Sequence, residues 1–213
     1  MAAARIELKT LLLGLLAISA VEVVSAGLLP TGTANPLMVT AAVRLLELGL
    51  MVAILFYSDR GLMAVGLSKT KVARGLIRGL VWAGGFGCVV AASAGVAFLS
   101  GIDPLRFIRV PLPADTSRIL QLFLVGGILA PVAEEVFFRG ILYGYFRRWG
   151  IFPALFVSTF VFVFLHPVNS LAVTQTIGGV LFAAAYEIEG NLLVPITIHI
   201  LGNLAIFSVA FLF

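Results

Sequence analysis

Charge is scarce in this chain. Only 11% of its 213 residues are Asp, Glu, Lys or Arg, against about a quarter in a soluble domain. With 61% apolar residues and a mean hydropathy of +1.14, the deficit excludes a water-soluble globule and implies a polytopic membrane protein. Cysteine occurs once, at Cys88, which excludes an intrachain disulfide. The only histidines are His166 and His199, so each carries weight as a candidate for chemistry. The net charge of +4 needs no nucleic acid to explain it, because basic loops on one side of a membrane produce the same excess.

What the chain has instead is apolar length. Runs near the roughly 20 residues that cross a bilayer fall at about 11–29, 37–57, 79–99, 117–149, 151–165, 170–186 and 192–213. They predict an all-α transmembrane bundle of about seven helices in a single integral membrane domain spanning residues 1–213. The long fourth run and the basic section 58–78 leave room for an eighth helix. The first run reads as an uncleaved helix, and 30–36, bounded by Pro30 and Pro36, as a turn. Glu187, Glu189 and Gly190-Asn191 read as a short solvated turn, and Pro167 as a helix stop. Gly75-x-x-x-Gly79 offers a small-residue face for close helix packing.

Alternating the spans sorts the basic residues. Arg5, Lys9, Arg60, Lys69, Lys71, Arg74, Arg78, Arg147 and Arg148 fall on one side and Arg106, Arg109 and Arg118 on the other. The positive-inside bias then predicts a cytoplasmic N-terminus and an outward C-terminus.

Ionisable groups inside apolar spans are costly and mark a use. Arg44 and Glu47 share a helix face at i,i+3, a mutually neutralising pair, and Glu22 in the first span is free to face a partner. The densest cluster is Pro131-Val132-Ala133-Glu134-Glu135-Val136-Phe137-Phe138-Arg139-Gly140. Glu135 and Arg139 are spaced i,i+4 for an ion pair. Glu134 is rotated about 100° away and is left to project towards the interior. Pro131 removes a backbone hydrogen bond and predicts a kink. Phe162 and His166 share a face of the fifth span, and His199 and Asn203 a face of the last. At ~1.5 Å per residue, Glu134 and His166 sit ~20 Å and ~22 Å from one membrane face, and His199 shallower at ~10–13 Å.

Three readings fit this inventory. Glu134 acts as a general base with His166 positioning a water for attack on an amide carbonyl, while His199 and Asn203 stabilise the oxyanion. Alternatively, the histidines and a glutamate hold a zinc ion that activates the water, although no H-E-x-x-H spacing supports it. Or the residues form a buried polar network that only fixes helix packing. A small transporter with Glu134 as proton carrier lacks the paired half-repeats such folds show.

Glu134-Glu135-x-x-x-Arg139, Phe162-x-x-x-His166 and His199-x-x-x-Asn203, with Phe138-Arg139-Gly140-Ile141-Leu142 and Leu193-Val194-Pro195-Ile196 flanking them, resemble the three motifs of the CPBP family. These are the CAAX-protease and bacteriocin-processing, or Abi, membrane endopeptidases. The resemblance covers about 117–207. It implies a helical membrane fold and a protein or peptide substrate. It also implies hydrolysis by a glutamate-activated water without a metal. Carried over, Glu134 is the base, His166 positions the water, and His199 with Asn203 binds the oxyanion. Glu135, Arg139 and Phe162 support them. The alternatives within the resemblance are a zinc-dependent intramembrane protease and a non-enzymatic scaffold or bacteriocin-immunity protein. Expected partners are the bilayer and a substrate whose cut lies near a membrane-embedded or C-terminal segment, with no nucleic acid. The expected location is a bacterial plasma membrane, and the expected substrate role is processing or sorting of surface proteins.

Overall fold

The computed structural model describes residues 6–28, 35–58, 61–107, 110–166 and 173–212. Arg5, Asp59, Arg60, Arg109, Pro167 and most of the turn expected at 30–36 lie outside these residues. Among the described residues every regular element is helical. Seven long helices make the bundle: α1 (Leu8–Leu28), α2 (Pro36–Phe56), α3 (Val72–Leu99), α4 (Thr116–Trp149), α5 (Ile151–Phe164), α6 (Val173–Glu189) and α7 (Leu193–Leu212).

Five stretches, containing α1, α2, α3, α4 and α7, are long and apolar enough to cross a membrane. α5, with 14 residues, spans ~21 Å against a hydrocarbon core of ~30 Å. It therefore ends within the apolar band, with His166 just past its last turn. The basic section holds two short 3₁₀ turns, Gly61–Val65 and Lys69–Lys71, in place of an eighth span. α3 begins at Val72 and not near 79, so Arg74 and Arg78 lie on the helix itself.

Local chemistry sets the helix starts. The Asn35 side chain accepts from Leu37 N ahead of Pro36, which is preset for a first helical turn. The Asp115 side chain accepts from Arg118 N at the start of α4. The helices alternate in direction. Ile6 N donates to Gly144 O and Arg148 donates to Ile6 O, so α1 rises from the end where α4 finishes. Asn35 donates to Gln121 at the opposite end. Large apolar side chains such as Leu12, Leu16, Leu45, Ile77 and Phe156 face outward, where the bilayer is their solvent.

Small residues let the helices touch. A Cβ at Gly75 would fall 2.5 Å from Asn191 Nδ2 and one at Gly79 would fall 2.5 Å from Thr197 Cβ. The Gly75-x-x-x-Gly79 face is thus pressed against the start of α7. Gly66 has φ +77°, and its added Cβ would sit 2.1 Å from Gly190 O. That position combines a left-handed backbone with direct backbone contact, so only glycine fits.

The turn before α7 departs from the sequence reading. It is drawn into the bundle: Asn191 and Leu192 are buried, and Glu187 and Glu189 are engaged by Arg147 and Arg78. The 3₁₀ turn carrying the buried Ala64 and Val65 closes this end of the bundle, and a Cβ at Gly140 would contact both Val65 and Leu192. The ion pair expected within α2 is present and extended: Arg44 donates to Glu47 and also, at 2.9 Å, to Glu22 of α1.

Candidate active site

α4 and α7 run antiparallel in close register. Gly140 lies opposite Leu192, Glu135 opposite His199, Gly127 opposite Leu204 and Gly126 opposite Phe207. This register corrects the depth assigned to His199. α7 starts level with Gly140, well above the end of α4 at Trp149, because the Gly190–Leu192 turn is drawn into the bundle. Glu134 lies six residues above Gly140 and His199 six above Leu193, so both are ~9 Å higher at the same level.

The structure brings the motif residues of three helices together. Glu134 Oε2 lies 3.9 Å from His166 Nε2 and 3.8 Å from His199 Nε2. Each imidazole is anchored by its other nitrogen. His166 Nδ1 is 2.6 Å from Phe162 O, one helical turn back. His199 Nδ1 is 2.8 Å from Glu135 Oε1. Both partners are acceptors, so each Nδ1 carries the proton and donates. Each Nε2 is then left facing Glu134 as a lone pair in the neutral ring, or as an N–H in the imidazolium.

The two adjacent glutamates have different surroundings, as their helical rotation requires. Glu134 is partly exposed and makes no direct hydrogen bond among the described residues. Glu135 is fully buried, and its Oε1 accepts from both Arg139 Nη1, at 2.8 Å, and His199 Nδ1. Arg139, also fully buried, donates its Nη2 to Gly179 O at 3.1 Å. Its guanidinium lies 4.7 Å from the Phe162 ring centroid and 5.2 Å from that of Phe182. Two aromatic faces thus supply part of the solvation that burial removes.

Phe182, on α6, carries no polar signature and lies in none of the motifs. Its ring stacks on His199 at 4.6 Å and 23° while its face meets Arg139. It joins the two cationic or potentially cationic groups of the site, so it belongs with the residues that hold the imidazole in place. Its spacing in an apolar helix offered no signal that would separate it from ordinary core.

Asn203 is held differently from the other polar residues. α4 widens into π-helix at Val125–Leu129 and again at Val136–Tyr143, on either side of Pro131. In the first segment Ala130 N reaches back to Val125 O. The next bond in that register would run from residue 131 to Gly126 O, and Pro131 has no N–H to give. Asn203 Nδ2 supplies the donor, at 2.9 Å from Gly126 O. The expected kink is therefore expressed as flanking π-turns with a side chain from α7 inserted at the gap. One amide N–H of Asn203 remains for another acceptor.

The arrangement brings a carboxylate and two oriented imidazoles to one point in the apolar band, with the Asn203 amide held on Gly126 O one helical turn further along α7 than His199. No set of three His, Cys, Asp or Glu side chains among the described residues is arranged to hold a metal ion. Residues 116–205 match the family described as type II CAAX prenyl endopeptidase Rce1-like. No curated protein and no solved structure matches the chain.

Proposed function

We propose, from the match of residues 116–205 to the type II CAAX prenyl endopeptidase family model, that the chain is an intramembrane endopeptidase using a glutamate-activated water. Its substrate is a protein cut near a membrane-embedded or C-terminal segment. The observation that carries the mechanism is the approach of two Nδ1-anchored imidazoles to Glu134, which makes no direct hydrogen bond among the described residues.

At 3.8 and 3.9 Å the two Nε2 atoms are too far from Glu134 for direct hydrogen bonds, a spacing that suits one water molecule. Glu134 takes a proton from that water and His166 Nε2 accepts its other hydrogen bond. The hydroxide so formed attacks the scissile carbonyl carbon. The carbonyl oxygen becomes an oxyanion. His199, in its protonated form and balanced by Glu135, donates Nε2–H to it, and Asn203 donates its second amide N–H. The tetrahedral intermediate collapses as the proton held by Glu134 passes to the departing amine. Glu135, Arg139, Phe162 and Phe182 touch no substrate in this scheme and act by positioning.

The basic end of the bundle faces the cytoplasm in this reading, which follows the positive-inside bias and places the N-terminus there. The test is a comparison of membrane-protein C-termini by mass spectrometry in cells with and without the gene. A set of proteins retaining longer C-termini in the deletion supports the assignment, and identical terminal profiles contradict it.

A further inference from the structure

The basic end of the bundle carries a second polar site far from Glu134. A pocket there, between the start of α3 and the turn leading into α7, is lined by Lys71, Arg74, Gly75, Arg78, Glu189 and Asn191, among others. Lys71, Arg74 and Arg78 follow one another at i, i+3 and i+7, so their side chains share a face. Glu189 is the only carboxylate in the lining, and it is already taken. Its Oε1 accepts from Arg78 Nε at 2.8 Å, Arg78 Nη2 at 2.6 Å and Trp82 Nε1 at 3.0 Å.

Lys71 and Arg74 have no carboxylate partner among the described residues. Among the described residues neither side chain makes a hydrogen bond or an ion pair, and Arg74 acts on Glu189 only at longer range. Asn191 does not serve them, since its Nδ2 is spent on the Lys71 carbonyl at 3.0 Å. Two like charges one turn apart repel each other, and a shared anion would convert that repulsion into attraction. Phosphate suits a guanidinium and an ammonium together.

The surroundings select the source of the phosphate. Directly along α3 from the cations, Leu76, Ile77 and Leu80 are exposed, and Ile188 is exposed across the pocket. Such side chains are solvated by acyl chains in this protein, so charge and apolar surface meet at the rim as headgroup and tail do in a phospholipid. Basic pockets between transmembrane helices at this depth recognise anionic headgroups. We propose that Lys71 and Arg74, with Arg78 at the pocket wall, bind the phosphate of an anionic phospholipid. The inference does not depend on the protease reading.

The test uses the full-length protein in detergent mixed micelles carrying either phosphatidylglycerol or phosphatidylcholine, read by thermal unfolding. Phosphatidylglycerol should raise the unfolding midpoint above the value in phosphatidylcholine, and added salt should reduce the gain. Each removed cation should weaken apparent affinity about fivefold, so K71A/R74A loses more than tenfold while K71R/R74K keeps wild-type response. If K71A/R74A does not fold, Arg74→Gln alone carries the test, with about a fivefold loss. Equal response to the two lipids, or an unchanged phosphatidylglycerol response in the neutral variants, overturns the proposal. So does a midpoint gain from inorganic phosphate as large as that from the lipid, which would assign the pocket to a soluble anion.

Discussion

His199 Nδ1 lies 2.8 Å from Glu135 Oε1, the same oxygen that receives Arg139 Nη1 at 2.8 Å. One buried carboxylate oxygen thereby fixes the imidazole of α7 and is itself fixed by the next turn of α4. The approach of His199 to Glu134 depends on this arrangement, because the opposite nitrogen of the same ring is what faces the carboxylate.

Breaking that pair from one side should be severe. Arg139→Ala leaves Glu135 buried with His199 as its only partner, and destabilisation of about 3–5 kcal/mol is expected, measured by unfolding in mixed micelles. Replacing both partners by apolar residues of similar size, as in E135L/R139M, should recover most of that stability without recovering cleavage. A single variant as stable as wild type would show that the pair is not structural.

Asn203 and Pro131 are predicted to be coupled. Asn203→Ala leaves the Gly126 carbonyl unpaired and should cost about 1–3 kcal/mol. Pro131→Ala restores a backbone N–H at the position whose π-register partner is Gly126 O, so P131A/N203A should be more stable than N203A alone. Cleavage should stay about 100-fold or more below wild type in both, since the proposed oxyanion donor is missing. Additive stability effects in the double variant would contradict the coupling.

Phe182→Leu keeps an apolar side chain against α4 while removing the stack on His199 and the face beneath Arg139. A stability loss of about 1–2 kcal/mol is expected, with kcat falling and KM unchanged. A change confined to KM would place Phe182 in substrate binding and not behind the imidazole.

Much of this was legible in the residue order. The seven apolar runs become the seven helices, and the i,i+4 spacing of Glu135 and Arg139 becomes a buried ion pair. Three features were not legible, each for a physical reason. Counting residues from the nearest polar turn placed His199 too shallow, because the turn at Asn191 is packed against Gly66 and Gly75 and drawn into the bundle. The π-turns around Pro131 depend on a donor from Asn203, far away in sequence. Phe182 looks like any other apolar residue until His199 and Arg139 are placed against its ring.

Exhaustive chelation should leave cleavage at the wild-type rate, since the proposed water is activated by Glu134 and His166 alone. Loss of activity restored by added zinc would instead support the metal-dependent alternative.

The central claim is that Glu134 is the base. The most direct measurement is the rate at which purified Glu134→Gln protein, reconstituted in proteoliposomes, cleaves a substrate whose processing in cells requires this gene. Glu134 makes no direct hydrogen bond among the described residues, so the variant should insert and unfold like wild type. Its cleavage rate should fall by about 100-fold to 10,000-fold. Cleavage by the variant at the wild-type rate would contradict the account.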